Sequence, residues 1–184
     1  MEHSANDVQS VVSQSQAIQA KNKSEVLVRP AWNDPVKIKP LLDYGFNSLV
    51  IPMVNNKEDA KKAVEACYYP PKGVRGVAMS QRGNDYTRDK DYFKNIEENI
   101  CLIPQLETVK SIDNISGIAN TDGVTALFIG PADLSADMGI LGEFDNKELW
   151  KMIEKAVAEI KNNNKSVGTL IGRKDLVQRS IDIG

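Results

Sequence analysis

The stretch Ala126-Leu127-Phe128-Ile129-Gly130-Pro131-Ala132-Asp133-Leu134-Ser135 decides the fold. Its first four residues are too few for a helix and too continuously apolar for a strand with one wet face. They read as a strand buried on both sides, the pattern of a parallel sheet. The Gly130-Pro131-Ala132 that follows lets the backbone come close to a ligand, with its amides turned toward an anion. Asp133 then places a carboxylate just past the carboxyl end of the strand, where parallel α/β folds gather their chemistry.

The same grammar recurs outward from this stretch. Val26-Leu27-Val28, Ser48-Leu49-Val50-Ile51, Ile100-Cys101-Leu102-Ile103 and Val167-Gly168-Thr169-Leu170-Ile171 are further short apolar runs. Amphipathic stretches alternate with them. Val8, Val11, Val12, Ser15 and Ile18 share a helical period, with Asn6 or Asp7 as cap. Asp34-Pro35 opens the next helix and Gly45 closes it, while Pro40 inside it predicts a kink. Asn56 caps a helix to Cys67, Leu149 to Ile160 carry the clearest apolar face, and a last helix runs from about Asp175 toward Gly184. Strands alternating with helices mean an α/β class with a parallel sheet, here one domain over residues 1–184 with about five strands. Both ends read as the middle of a larger arrangement. The segment from Tyr68 to Phe93 is a long insertion of the kind that is often functional.

Composition excludes several function classes. There are 23 basic and 25 acidic side chains, a formal charge of −2, which argues against a nucleic-acid coat. No run of 18 apolar residues is present, so no membrane span is expected. Cys67 and Cys101 sit among apolar residues without metal spacing and read as reduced thiols of a cytoplasmic protein.

The strand ends carry the candidate chemistry. Glu107 and Asp133 end successive strands, about 5 Å apart if the strands are neighbours, and suit a hard divalent cation, Mg²⁺ or Mn²⁺. Each equally suits a helix cap or an ion pair. Gln105 lies two residues before Glu107 and faces the same way, as a binder of a substrate oxygen or as a core hydrogen-bond partner. Arg29, after Val28, either grips a carboxylate at two points or forms a structural salt bridge. His3 is the one His, and by position alone a solvated bystander. Arg82 and Arg88 in the insertion read as solvated charges before substrate contacts.

Seven ordered stretches together resemble the HpcH/HpaI aldolase family: Glu2-His3-Ser4-Ala5-Asn6, Val28 to Pro35, Leu41 to Gly45, Val50 to Val54, Tyr69 to Gly76, Gln105-Leu106-Glu107-Thr108, and Phe128 to Ser135. The resemblance covers essentially the whole chain. It implies a (β/α)₈ barrel, here incomplete at both ends, in a homo-oligomer that is a hexamer in the family. It implies that Glu107 and Asp133 bind a divalent metal, and that Gln105 with the backbone of Ala132 and Asp133 binds the pyruvate portion of a 2-oxo acid. Arg29 would stabilise the enolate transition state. His3 would be the base, with Asp43 raising its basicity.

The expected activity is metal-dependent carbon–carbon cleavage of a 4-hydroxy-2-oxo acid. The Ser80-Gln81-Arg82-Gly83-Asn84 loop points to 2-dehydro-3-deoxyglucarate, giving pyruvate and tartronate semialdehyde. The alternatives are 4-hydroxy-2-oxoheptanedioate, giving pyruvate and succinate semialdehyde, a citryl-type lyase subunit, and a catalytically inactive fragment.

Overall fold

The structure is a computed structural model and describes residues 1–20 and 24–184. Two compact units divide the chain. The first comprises Met1–Ile51 with Lys62–Leu102, the second Pro52–Lys61 with Ile103–Gly184.

In the first unit, helix α1 (Val8–Gln19) starts at Asp7, whose carboxylate accepts from the Ser10 N–H while the Ser10 hydroxyl accepts from the Asp7 N–H. This reciprocal cap satisfies two otherwise orphaned donors. The buried face of α1 is narrower than its periodicity suggests: Val11 and Ser15 are covered, whereas Ile18 is exposed. Strand β1 (Leu27–Val28) pairs in parallel with β2 (Ser48–Ile51), Leu27 opposite Ser48 and Val28 opposite Leu49.

Between these strands runs α2 (Pro35–Asp43), opened by the Asp34 carboxylate on the Val36 N–H with Pro at the first position. Pro40 does not break it; α2 stays one helix. The missing Pro40 donor strips a partner from the Val36 carbonyl, and Val36 is 68% exposed, so water can take its place. Ile38, Leu41 and Leu42 are fully buried. The insertion contains a kinked turn segment (Arg82–Thr87), in which Asp85, Tyr86 and Thr87 have positive φ, followed by α4 (Tyr92–Asn99). Helix α3 (Lys57–Cys67) and strand β3 (Cys101–Leu106) contribute residues to both units.

In the second unit, β3, β4 (Ala126–Ile129) and β5 (Ser166–Thr169) form a parallel ladder. Gln105 lies opposite Phe128 and Leu106 opposite Ile129. Strand β3 runs further than its apolar run, because Pro104, Gln105 and Leu106 are all buried. Strand β5 stops earlier, at Thr169, leaving Leu170 80% exposed. Two short helices, α5 (Val109–Asp113) and α6 (Ile115–Ala119), follow β3, and α7 (Pro131–Asp137) follows β4. Helix α8 (Lys147–Asn162) buries Leu149, Trp150, Ile153, Val157 and Ile160, the face its sequence predicts. Helix α9 (Lys174–Ile183) follows β5. No helix of the described residues is long and apolar enough to cross a membrane.

Candidate active site

The carboxyl end of β3 builds the most constrained polar group of the second unit. Glu107 is 3% exposed. Its Oε1 accepts from the Met53 N–H at 2.6 Å and its Oε2 from the Gln105 amide at 2.6 Å. Two neutral donors thus aim the carboxylate. Met53 presents its N–H by adopting φ +55°, a left-handed conformation uncommon for a non-glycine residue. Such strain persists where surrounding structure enforces it, and it clusters at functional sites. The Asn55 amide bonds the Met53 carbonyl and the Thr108 hydroxyl bonds Asn55, so the turn is held from both sides.

Gly130 closes this group from β4. Its N–H donates to the Leu106 carbonyl at 2.9 Å. A Cβ at this position would stand 2.8 Å from Gln105 Nε2 and 3.2 Å from Glu107 Oε2. The backbone therefore runs close against the carboxylate, and a side chain here would have to displace the end of Gln105. Gly130 is also the N-cap of α7, and Asp133 lies in the first turn of that helix, exposed. Ser135, fully buried, ties the turn down through bonds to the Ala132 carbonyl and from the Gly142 N–H.

At the carboxyl end of β5, Arg173 binds Asp145 and Asp175 together. Its hydrogen bonds hold both carboxyls below the usual range.

In the first unit, Arg29 follows β1, and its Nε lies 3.1 Å from Glu2 Oε2. The Met1 ammonium donates to the Arg29 carbonyl at 2.8 Å. His3 is 66% exposed, with Nε2 at 3.8 Å from the other Glu2 oxygen. Asp43 is the last residue of α2, about 12 Å along the helix axis from Pro35. Its carboxylate binds Arg75 at 2.8 Å, and the carboxylate beside the His3 imidazole is that of Glu2.

Sequence reasoning missed Arg75. Its side chain has no exposure; Nη2 also bonds the Tyr92 hydroxyl, and the guanidinium stacks on Tyr69 at 4.5 Å. Burial is the largest single influence and opposes its charge, but the bond to Asp43 together with Tyr92 and Tyr69 outweighs it and tightens the proton. The insertion packs here too. A Cβ on Gly83 would meet the Leu42 carbonyl at 2.9 Å, and Arg82 donates to the Tyr44 carbonyl. The Ser80–Asn84 loop thus lies against the carboxyl end of α2.

Among the described residues no group of three or more His, Cys, Asp or Glu converges on one point. Two carboxylates, one buried and aimed and one exposed on the next turn, fit a hard cation that keeps waters and accepts substrate oxygens. They do not fit an all-protein cage.

Comparison with known proteins decides the family. A model described as HpcH/HpaI aldolase/citrate lyase matches residues 1–183. The chain belongs to that family. A 4-hydroxy-2-oxo-heptane-1,7-dioate aldolase of Shigella flexneri is 44% identical over 184 residues, which are all of this chain and 68% of the relative. A solved HpcH/HpaI aldolase/citrate lyase family protein from Burkholderia cenocepacia J2315 superposes with a TM-score of 0.96 at 33% identity, covering 100% of this chain and 74% of that one. The HpcH/HpaI aldolase of Desulfitobacterium hafniense DCB-2 gives 0.84 at 26% identity, covering 99% and 71%. The α/β reading and the assignment to the TIM-barrel aldolases stand, and the chain is an enzyme of the metal-dependent aldolase class. The relatives favour the heptanedioate alternative over the glucarate reading.

Proposed function

We propose that this HpcH/HpaI family member cleaves 4-hydroxy-2-oxoheptanedioate or a close homologue to pyruvate and succinate semialdehyde, using Mg²⁺ or Mn²⁺. The observation that carries the reading is Glu107: a buried carboxylate aimed by Met53 and Gln105, beneath a glycine backbone that leads into Asp133. The names of the relatives support the substrate.

In this reading Glu107 and Asp133 hold the cation. When bound, the cation supplies Lewis acidity toward the 2-oxo group. The chain's own residues do the rest. Gln105 and the backbone at Ala132 and Asp133 orient the pyruvate half. His3 takes the proton of the 4-hydroxyl, the C3–C4 bond breaks, and its electron pair passes into the pyruvate enolate while the aldehyde leaves. Arg29 stabilises the charge on that enolate, which then takes a proton at C3. Asp43, anchored on Arg75, enters as a support of the scaffold, and Glu2 is the carboxylate that faces His3. A cytoplasmic location, a homo-oligomer and the absence of nucleic-acid or membrane partners belong to the same proposal; the near-neutral charge supports the absence of a nucleic-acid partner and the two unbridged cysteines support the location.

The test is pyruvate release from 4-hydroxy-2-oxoheptanedioate, coupled to lactate dehydrogenase, before and after chelation and after return of Mg²⁺ or Mn²⁺. Chelator-sensitive, metal-restored pyruvate release is expected. No pyruvate with either metal overturns the reading.

A further inference from the structure

The second unit holds a cavity of about 240 Å³ whose wall runs from Pro131 and Ala132 to Phe144, Leu170, Leu176 and Arg173. Its chemistry is two-part: mostly apolar side chains, and one guanidinium. Nη1 and Nη2 of Arg173 grip the Asp145 carboxylate at 2.7 and 2.9 Å, while Nη2 and Nε reach Asp175 at 2.6 and 3.2 Å. One cation between two carboxylates leaves a net charge of −1. All three side chains are 48–74% exposed, and exposed pairs are weak, so exchanging one carboxylate for another is close to neutral. The fork itself is already fixed by the second partner.

We propose that Arg173 is the receptor for the distal carboxylate of the substrate, with Asp145 occupying the position that this carboxylate takes on binding. The proposal rests on the aldolase reading, which puts the pyruvate half at the backbone of Ala132 and Asp133. Ala132 and Arg173 line the same cavity, so the chain between the two ends of the substrate crosses the apolar wall. Methylenes suit Phe144, Leu170 and Leu176. A hydroxylated tail loses its water there and gains no partner from them. Arg173 and the apolar wall together select a diacid with an unsubstituted tail.

The test compares kcat/KM for 4-hydroxy-2-oxoheptanedioate and for 4-hydroxy-2-oxopentanoate, which lacks the distal carboxylate, in the wild-type protein, Arg173→Gln and Asp145→Asn. The readout is the diacid-to-monoacid ratio. Arg173→Gln is expected to lower it about tenfold, the scale of one charge-assisted pair. Asp145→Asn is expected to raise it, because the competing charge is removed while the fork stays. A purely structural role does not produce opposite signs. An unchanged ratio in both variants, or an equal fall for both substrates, overturns the proposal. A wild-type protein that cleaves neither substrate overturns the aldolase reading first, and this one with it.

Discussion

Nη2 of Arg75 lies 2.8 Å from Oδ1 of Asp43, and the guanidinium that makes this bond has no solvent exposure. The pair joins the insertion to the end of α2 inside the first unit. Removing the cation leaves a carboxylate facing an apolar gap between Tyr69 and Tyr92. Arg75→Met is therefore expected to cost about 3–5 kcal/mol, the range for breaking a buried pair. Asp43→Asn keeps a neutral acceptor and is expected to cost less, about 1–3 kcal/mol. Urea titrations of the two variants check the order; equal stabilities would show that the pair holds nothing together.

Gly130 predicts a separation of function from stability. The nearest atom to an added Cβ is the end of the flexible Gln105 side chain at 2.8 Å, which can swing aside. Gly130→Ala is then expected to lose only about 1–2 kcal/mol of stability. The displaced amide no longer aims Glu107 or the substrate, so KM for the 2-oxo acid is expected to rise about tenfold. Thermal melting beside steady-state kinetics reads both; a large melting shift with normal KM would contradict the argument.

The carboxylates predict metal affinity. Glu107→Gln presents an amide to two donors already aimed at it, so one N–H must oppose another. Asp133→Asn removes charge from an exposed turn without that conflict. Mn²⁺ titration calorimetry is expected to show affinity reduced roughly tenfold or more in each, with the greater loss in Glu107→Gln. Wild-type affinity in both would remove the metal assignment.

Cys67 predicts a pH dependence. Burial pushes its thiol up to about 12, against a smaller pull from Arg75. Unfolded, the thiol titrates near 8.5. Above that pH the unfolded chain has lost the proton that the folded chain keeps, so stability falls as pH rises toward 12. The slope from this group is about 1.4 kcal/mol per pH unit. Native protein at pH 8 is expected to resist alkylation at Cys67, and Cys67→Ala is expected to flatten the loss of stability between pH 9 and 11. A thiol that alkylates in the native state at pH 8 would contradict its burial.

What was legible in the sequence follows a physical line. Short apolar runs marked β2 and β4 to the residue, although in β4 only Leu127 and Ile129 are buried and Ala126 and Phe128 are half-buried, so one face is more open than the run suggests. The positions of Glu107 and Asp133 followed from strand ends. Met53 was invisible, since its contribution is a backbone N–H that every residue but proline owns, bent into place by a φ that sequence does not encode. Arg75 was invisible for the opposite reason: in a Gly- and Pro-rich loop a charge reads as solvated, and only the packing of Tyr69, Tyr92 and Asp43 around it says otherwise. Asp43 was legible only through the family resemblance; its bond to Arg75 depends on packing that neighbouring residues in sequence do not announce.

The pairing of β3 with β4 is written in two residues, Gln105 opposite Phe128 and Leu106 opposite Ile129. Pro104, just before them, has no N–H to extend the ladder. A slip of one position would turn Gln105 and Glu107 to the opposite face and bring a residue with a side chain to where Gly130 now clears them. The donors that aim Glu107 would vanish with the slip. Chemistry and alignment are thus the same constraint at this edge: a substitution that loosens strand registration acts as a catalytic lesion without touching a catalytic side chain. Variants selected for activity at this end of the second unit will also have been selected, unseen, for the order in which two strands meet.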